Sequence, residues 1–169
     1  MNIDILMAAT GATRTNAAKF IDSIDDVISE FNITNKAMFL AQIGHESGGL
    51  KYLREIWGPT PAQSRYEGRL DLGNIYPGDG VKYKGRGLLQ VTGRVNYTKV
   101  GKGLNLDLVN HPELLEEPIN AARSAAYFWV TNGLNGITDV QKATKRINGG
   151  YNGLIERTAL YTKAVSLLA

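Results

Sequence analysis

The sequence contains no cysteine and only two histidines, His45 and His111, among 169 residues. The first absence excludes a disulfide scaffold and any cysteine-ligated metal, and it fits synthesis in a reducing compartment. The second leaves little material for a zinc site. His45 and Glu46 begin an HExxH-like pattern, but the second histidine would have to stand at position 49, where Gly49 is found. His111, in VNHPEL, has no partner at a useful spacing, so no metal and no cofactor are expected. Long hydrophobic runs are missing as well: no window approaches the roughly 18 consecutive apolar residues of a membrane span. The opening MNIDILMAATGATRTNAAKF lacks a basic stretch followed by an apolar core, and Asp4 interrupts its one short apolar run. These features predict a chain made in the cytoplasm without a signal peptide, reaching any extracytoplasmic target with outside help.

Charge of one sign is also scarce. Nineteen Lys and Arg against sixteen Asp and Glu leave a net charge of +3, a mild basic excess that favours an anionic partner without naming it. The cations are scattered along the chain instead of forming a stripe with stacking residues, which argues against nucleic acid. With 43% hydrophobic and 21% charged residues, and no repeat, low-complexity segment or linker, residues 1–169 are expected to form a single monomeric domain.

Only five prolines are present, and three of them fall between residues 57 and 87 among many glycines, including YPGDGVKYKGRG. That stretch reads as loop and short strands. Helical signals flank it. From Asn16 to Phe31, apolar residues recur at helical spacing (Phe20, Ile21, Ile24, Val27, Ile28, Phe31). Thr34 is placed to cap NKAMFLAQIGHE, a run apolar on most sides that Gly48 and Gly49 terminate. Thr92 is placed to cap a helix from Gly93 to about Val100, Pro118 opens another through AARSAAYFWV, and a last pair covers Thr138 to Ile147 and Ile155 to Leu168. The class is mainly α, with a long loop region over the helices.

Glu46 stands where a helix must stop. The last turn of a helix presents unpaired carbonyls and a partial negative charge, and the apolar run before Glu46 implies partial burial. Both effects favour a protonated carboxyl, the form that donates a proton to a leaving glycosidic oxygen. A solvent-facing glutamate at a helix end is the plain alternative. Glycoside hydrolysis generally needs a second carboxylate, and Glu55, in LKYLREIWG, is the nearest in sequence after the helix ends; it also reads as a surface residue beside Arg54.

Taken together, HESGGL, RYEGRLDLGNIYPGDGVKYKGRGLLQVTGRVNY, LDLVNHPELLEEPINAARSAAYFW and INGGYNGLIER resemble the bacterial and phage branch of the family 19 glycoside hydrolases, the chitinase-like enzymes, over about residues 35 to 165. The resemblance implies a lysozyme-like, mainly helical fold and inverting hydrolysis of a β-1,4-linked N-acetylhexosamine polymer. It also implies roles for particular residues: Glu46 as general acid, Glu55 as the base that activates water, and Thr92 as the hydroxyl that holds that water. Gln90 and Asn96 match substrate-binding positions, and Asn148 and Arg157 match the family's C-terminal cleft segment. Each residue also has a structural reading: Thr92 as a helix cap, Gln90 and Asn96 as loop ties, and Asn148 beside Gly149 and Gly150 as a turn. Trp57, Tyr66, Tyr83 and Tyr97 could offer faces to sugar rings, whereas Trp129 in AAYFWV is at core spacing.

The family's substrates, chitin and peptidoglycan, share the N-acetylglucosamine unit. A short basic chain without a leader or binding module suits a peptidoglycan-cleaving endolysin, a muramidase-like enzyme released to the wall by a separate holin-type membrane partner. A chitinase, a lytic transglycosylase and a non-catalytic wall-binding module are the alternatives.

Overall fold

The computed structural model describes residues 1–168. Helix α1 (Ile3–Thr10) is capped by Asn2, whose side chain accepts the Asp4 N–H, and it ends at left-handed Gly11. Periodicity did not reveal this helix, because eight residues are too few to show a repeating face. Helix α2 (Arg14–Glu30) begins two residues earlier than its apolar pattern, because the Thr13 side chain caps it at Asn16 N–H. Helix α3 (Lys36–Glu46) is capped by Asn35 and not by Thr34: the Asn35 side chain accepts the Met38 N–H. Every residue from Ala37 to Gly44 is buried. The helix is apolar on most sides because neighbours surround it.

Gly44 explains how tightly they do so. A Cβ placed there would lie 2.5 Å from both the Cα and the carbonyl oxygen of Thr10, at the end of α1. The absence of a side chain therefore sets the distance between α1 and the last turn of α3, the turn that carries Glu46. Beyond it, the Ser47 hydroxyl donates to Ile43 O and accepts Leu50 N–H, so both sides of the turn are tied down.

Strands were expected between residues 57 and 87, and the structure corrects that. The segment holds two single-turn helices, α4 (Pro61–Ser64) and α5 (Asp79–Lys82), and a 3₁₀ turn at Leu70–Leu72. Extended pairing is limited to isolated bridges from Arg86 to Arg54 and to Val91. Side chains replace a ladder here. Glu67 accepts the N–H groups of Gly78 and Gly80, and this pair of bonds holds its carboxyl below the ordinary glutamate range. Asn74 donates to Tyr66 O and accepts Arg94 N–H. Buried Asp79 takes a two-pronged contact from Arg94, which holds the aspartate below its ordinary value.

Helix α6 (Arg94–Leu104) extends past Val100, and its N-cap is Gly93 without a side-chain bond, so Thr92 is not the cap. After a 3₁₀ turn at Pro112–Glu116, Pro118 opens helix α7 (Pro118–Thr131) as its pattern predicts. Helix α8 (Val140–Asn148) is capped by Asp139 instead of starting at Thr138, and α9 runs from Leu154 to Leu168. Helix α3 packs against α1 and α9, and α2 against α7. Trp129 lies in this core with its ring edge-on to Phe39. A second apolar cluster under the loop region gathers Tyr83, Val91, Tyr97, Leu104, Leu108 and Leu115.

Gly44→Ala tests the α1–α3 approach. An ordinary helix interior gains about 1 kcal/mol from glycine to alanine. Here the added methyl meets backbone, and overpacking of this kind costs roughly 1 to 3 kcal/mol. We expect a net loss of stability in urea melts. A gain would show that the contact with Thr10 yields freely.

Candidate active site

A cleft of about 400 Å³ is lined by Glu46 at the end of α3, the segment of Tyr52, Arg54, Glu55 and Ile56, the pair Leu89 and Gln90, and Phe128 and Ile147 from α7 and α8. A neighbouring hollow of about 270 Å³ shares Leu89, Gln90 and Phe128 with it and continues along Thr92, Asn96, Lys99 and Tyr127. The two form one continuous groove. The fold thus brings Glu46, Glu55, Gln90, Thr92 and Asn96 to a common surface.

Glu46 is held from beneath. Arg157 of α9, only 1% exposed, donates from Nη2 to Glu46 Oε1 at 2.6 Å, from Nη1 to Gln42 Oε1 at 2.6 Å and from Nε to Asn152 O at 3.0 Å. Gln42 lies one helical turn before Glu46 and donates in turn to Thr144 of α8. The carboxyl is thereby fixed through one oxygen, and Oε2 makes no hydrogen bond to another described residue. A proton carried by Glu46 belongs on that free oxygen.

This arrangement corrects the placement of Arg157. As a substrate ligand it would need to face the groove, but its guanidinium is buried and each of its three nitrogens already donates to a protein acceptor. It orients Glu46 instead. Asn148 is the last residue of α8, and its side-chain oxygen accepts Asn152 N–H, so it holds the turn that its glycine neighbours predict. Ile147 forms the groove wall there.

Glu55 is held differently. Its backbone N–H donates to Gly85 O, and its Oε1 accepts Gly85 N–H at 2.7 Å. Its Oε2 accepts Gln63 Nε2 at 3.3 Å and Tyr66 O–H at 3.2 Å. Burial, and then the adjacent Glu55 carboxylate, push the Tyr66 phenol above its ordinary value, so Tyr66 stays protonated as a donor. An ionised carboxylate has about four lone-pair positions; three are filled here, and one remains for a water. Gln63 was not foreseen as part of the site. Its place was legible as TPAQ, a capping box that the structure shows with Thr60 and Gln63 bonded reciprocally.

Gly85 links Glu55 to Thr92. A Cβ on Gly85 would fall 2.5 Å from Gln90 Oε1 and 3.2 Å from Thr92 Oγ1, so both side chains lie over the backbone that clamps Glu55. The Thr92 hydroxyl makes no hydrogen bond to another described residue. Asn96 Nδ2 donates to Thr92 O at 2.8 Å, a loop tie, while Asn96 also lines the groove.

Two tyrosines expected as possible sugar platforms are elsewhere. Tyr83 and Tyr97 are buried with ring centroids 5.1 Å apart, their hydroxyls donating to Val109 O and Lys84 O. Tyr52 and Phe128 occupy the groove instead, though no sequence pattern marks them. His45 Nδ1 lies 3.0 Å from Glu156 Oε1, and His111 sits exposed near Glu113. Among the described residues, no group of three His, Asp or Glu side chains is placed to hold a metal ion.

The Arg157–Glu46 contact has a measurable signature. Removing one partner of a buried ion pair costs about 3 to 5 kcal/mol; Glu46 retains some access to water, so Arg157→Met should cost roughly 2 kcal/mol in urea unfolding. Glu46→Gln keeps an acceptor for Arg157 but removes its counter-charge, so it should also cost roughly 2 kcal/mol in the native background, whereas in the Arg157→Met background it should restore stability by removing the unpaired carboxylate. Additive effects would show that the two residues are not coupled.

A family model described as chitinase class I matches residues 8–142. A Haemophilus influenzae glycosyl hydrolase family 19 domain-containing protein is 35% identical over 158 residues, covering 77% of this chain and 78% of that one. Chitinase 11 of rice is 38% identical over 96 residues, 56% of this chain and 35% of the longer plant enzyme. Among solved structures, a bacterial family 19 chitinase superposes with a TM-score of 0.77 at 22% identity, covering 99% of this chain and 94% of the other. Chitinase C of Streptomyces griseus does so with a TM-score of 0.74 at 21% identity, covering 99% and 76%. The shared architecture is the mainly helical, lysozyme-like one, and on the matched span and the bacterial relative together the chain belongs to the family 19 glycoside hydrolases.

Proposed function

We propose that this glycoside hydrolase is an endolysin that cuts β-1,4 bonds of bacterial peptidoglycan by an inverting, muramidase-like mechanism, with residues 1–169 acting as one monomeric catalytic unit. The observation that carries the mechanism is that two carboxyl groups line one groove and are held in opposite ways. Glu46, fixed through Oε1 and free at Oε2, donates the proton to the leaving oxygen. Glu55, surrounded by donors and keeping one open lone pair, removes a proton from water. Thr92, with its hydroxyl free beside the same backbone, orients that water, and attack from the face opposite the leaving group inverts the anomeric carbon. Gln90 and Asn96 present amides to the acetamido and hydroxyl groups of the sugars.

The anionic wall suits the net charge of +3. No helix among the described residues is long and apolar enough to cross a membrane. On this reading the enzyme is made in the host cytoplasm and passes to the periplasm through a separate holin-type partner. The chitinase names of the plant and Streptomyces relatives favour a second reading, hydrolysis of chitin. The clamped second carboxylate favours either reading over a lytic transglycosylase, which works with one acid.

Glu46→Gln should remain folded and bind glycan while losing about a hundredfold or more in turnover. Glu55→Gln and Thr92→Val should each reduce turnover, and the double variant should lose much less than the product of the two, because residues acting on one water fail together. NMR of the fresh product should show the inverted anomer. A retained anomer or anhydro sugar ends, or a fully active Glu55→Gln, would rule out this chemistry. Purified wall should be solubilised faster than colloidal chitin under matched conditions, and the reverse order would establish the chitinase reading.

A further inference from the structure

The groove carries one cation that its own architecture does not compensate. In the part containing Glu46 and Glu55, the basic side chain is Arg54, and its charge is answered by Glu116 at 3.3 Å. Among the described residues, the only charged side chain on the wall of the adjoining part is Lys99. It is exposed, makes no ion pair or hydrogen bond to any described residue, and no carboxylate of a described residue shares its hollow. Lys99 lies on α6 three residues after Asn96, a spacing that places both side chains on one face of the helix. Asn96 touches Thr92 through its backbone carbonyl. Lys99 thus stands seven positions beyond Thr92, whose hydroxyl lies beside the Glu55 clamp, and is about two helical turns from it along the chain.

A neutral N-acetylglucosamine polymer offers hydroxyl and amide groups, which the uncharged lining of Gln90, Asn96, Thr131 and Asn132 already matches. It offers no anion. A glycan bearing carboxylates does, and an ammonium free of internal partners gains from meeting one without first breaking an existing bond. We propose that Lys99 is a specificity-determining residue that binds a carboxylate attached to the glycan, in a subsite displaced from the reacting bond along the groove. This deepens the peptidoglycan reading and rests on it for the natural source of the anion. In wall glycan the carboxylate belongs either to the stem peptide or, where the stem is missing, to the lactyl ether of the muramic acid. Because the contact lies away from the reacting atoms, it acts on binding and not on the chemical step. A cationic, deacetylated glycan would be repelled at the same place.

The test compares the native protein, Lys99→Gln and Lys99→Arg on four soluble substrates. These are neutral glycol chitin, carboxymethyl chitin with the same backbone plus carboxylates, stem-bearing strands from purified wall, and such strands stripped by an amidase. Lys99 is exposed and unbonded, so neither substitution should disturb folding. Lys99→Gln should lower kcat/KM roughly three- to fivefold on carboxylate-bearing substrates, the range of a solvated ion pair, through KM with kcat unchanged. Glycol chitin should be unaffected, and Lys99→Arg should restore the native values. Raising the ionic strength from about 0.01 M to about 1 M shortens the screening length from roughly 30 Å to 3 Å and should erase the difference.

A loss confined to stem-bearing strands assigns the carboxylate to the peptide, and a loss that persists on stripped strands assigns it to the lactyl group; either supports the proposal. An equal loss on glycol chitin would make Lys99 an ordinary sugar contact and overturn it, as would no loss on any charged substrate. If the native protein does not turn over wall strands yet shows the Lys99 effect on carboxymethyl chitin, the peptidoglycan reading fails and the carboxylate subsite stands. If wall strands are cut equally well by native and Lys99→Gln proteins, the subsite fails and the peptidoglycan reading stands.

Discussion

A buried guanidinium joins the helical core to the chemistry of the groove. Arg157 reaches from α9 to three acceptors, and each comes from a different part of the site: Gln42 inside α3, Glu46 at its end, and Asn152 in the turn between α8 and α9. A cation this deeply buried is tolerated only when its donors are met, so the helices must assemble in the arrangement that supplies those acceptors. Gln42 passes the constraint on to Thr144 of α8. The position of the Glu46 carboxyl is therefore a property of three helices together.

The opposite wall of the groove follows a different principle. Between residues 55 and 94 there is no sheet and little continuous helix, yet the segment is tied down by side chains bonded to backbone groups some distance along the chain. Glu55 is held by Gly85, Gln63 and Tyr66, Glu67 receives two glycine N–H groups, and Asp79 and Asn74 lock onto the start of α6. Gln63, Asn74 and Asp79 are buried with partners, and such bonded polar groups give a loop a defined shape where hydrophobic area is limited. Bare backbone at Gly85 keeps Glu55, Gln90 and Thr92 close to one another.

Both walls rest on apolar material that has no chemistry of its own. The close approach of Gly44 to Thr10 sets the depth at which Glu46 emerges. The cluster of Tyr83, Tyr97 and Leu104 supports the loop from below, with Arg86 bridging Tyr97 and Glu116 beside Arg54. The two tyrosines are buried at the support and are not offered to sugars. Burial in a loop-rich region depends on how the chain returns on itself, which a residue type does not reveal.

Residue spacing by itself determined the helices whose faces repeat, α2, α3 and α7, the stop after Glu46, and the opening of α7 at Pro118. These follow from interactions within a few residues, such as caps, glycine turns and apolar stripes, so they are written locally. The resemblance carried by HESGGL and GLLQVTGRVNY also named Glu46, Gln90, Thr92 and Asn96, with Glu55 in LKYLREIWG beside them, and the fold gathers these five on one groove. Other features depended on groups far apart in the chain. Glycines and prolines at 57 to 87 announce irregular backbone, but only tertiary structure decided that single-turn helices and side-chain ties would replace strands. Arg157 and Glu46 are separated by 111 positions, and no local signal says that an arginine in INGGYNGLIER will be buried beneath a glutamate in HESGGL. Tertiary structure alone decided that contact, because an ion pair forms where packing brings charges together and excludes water, and spacing along the sequence encodes neither.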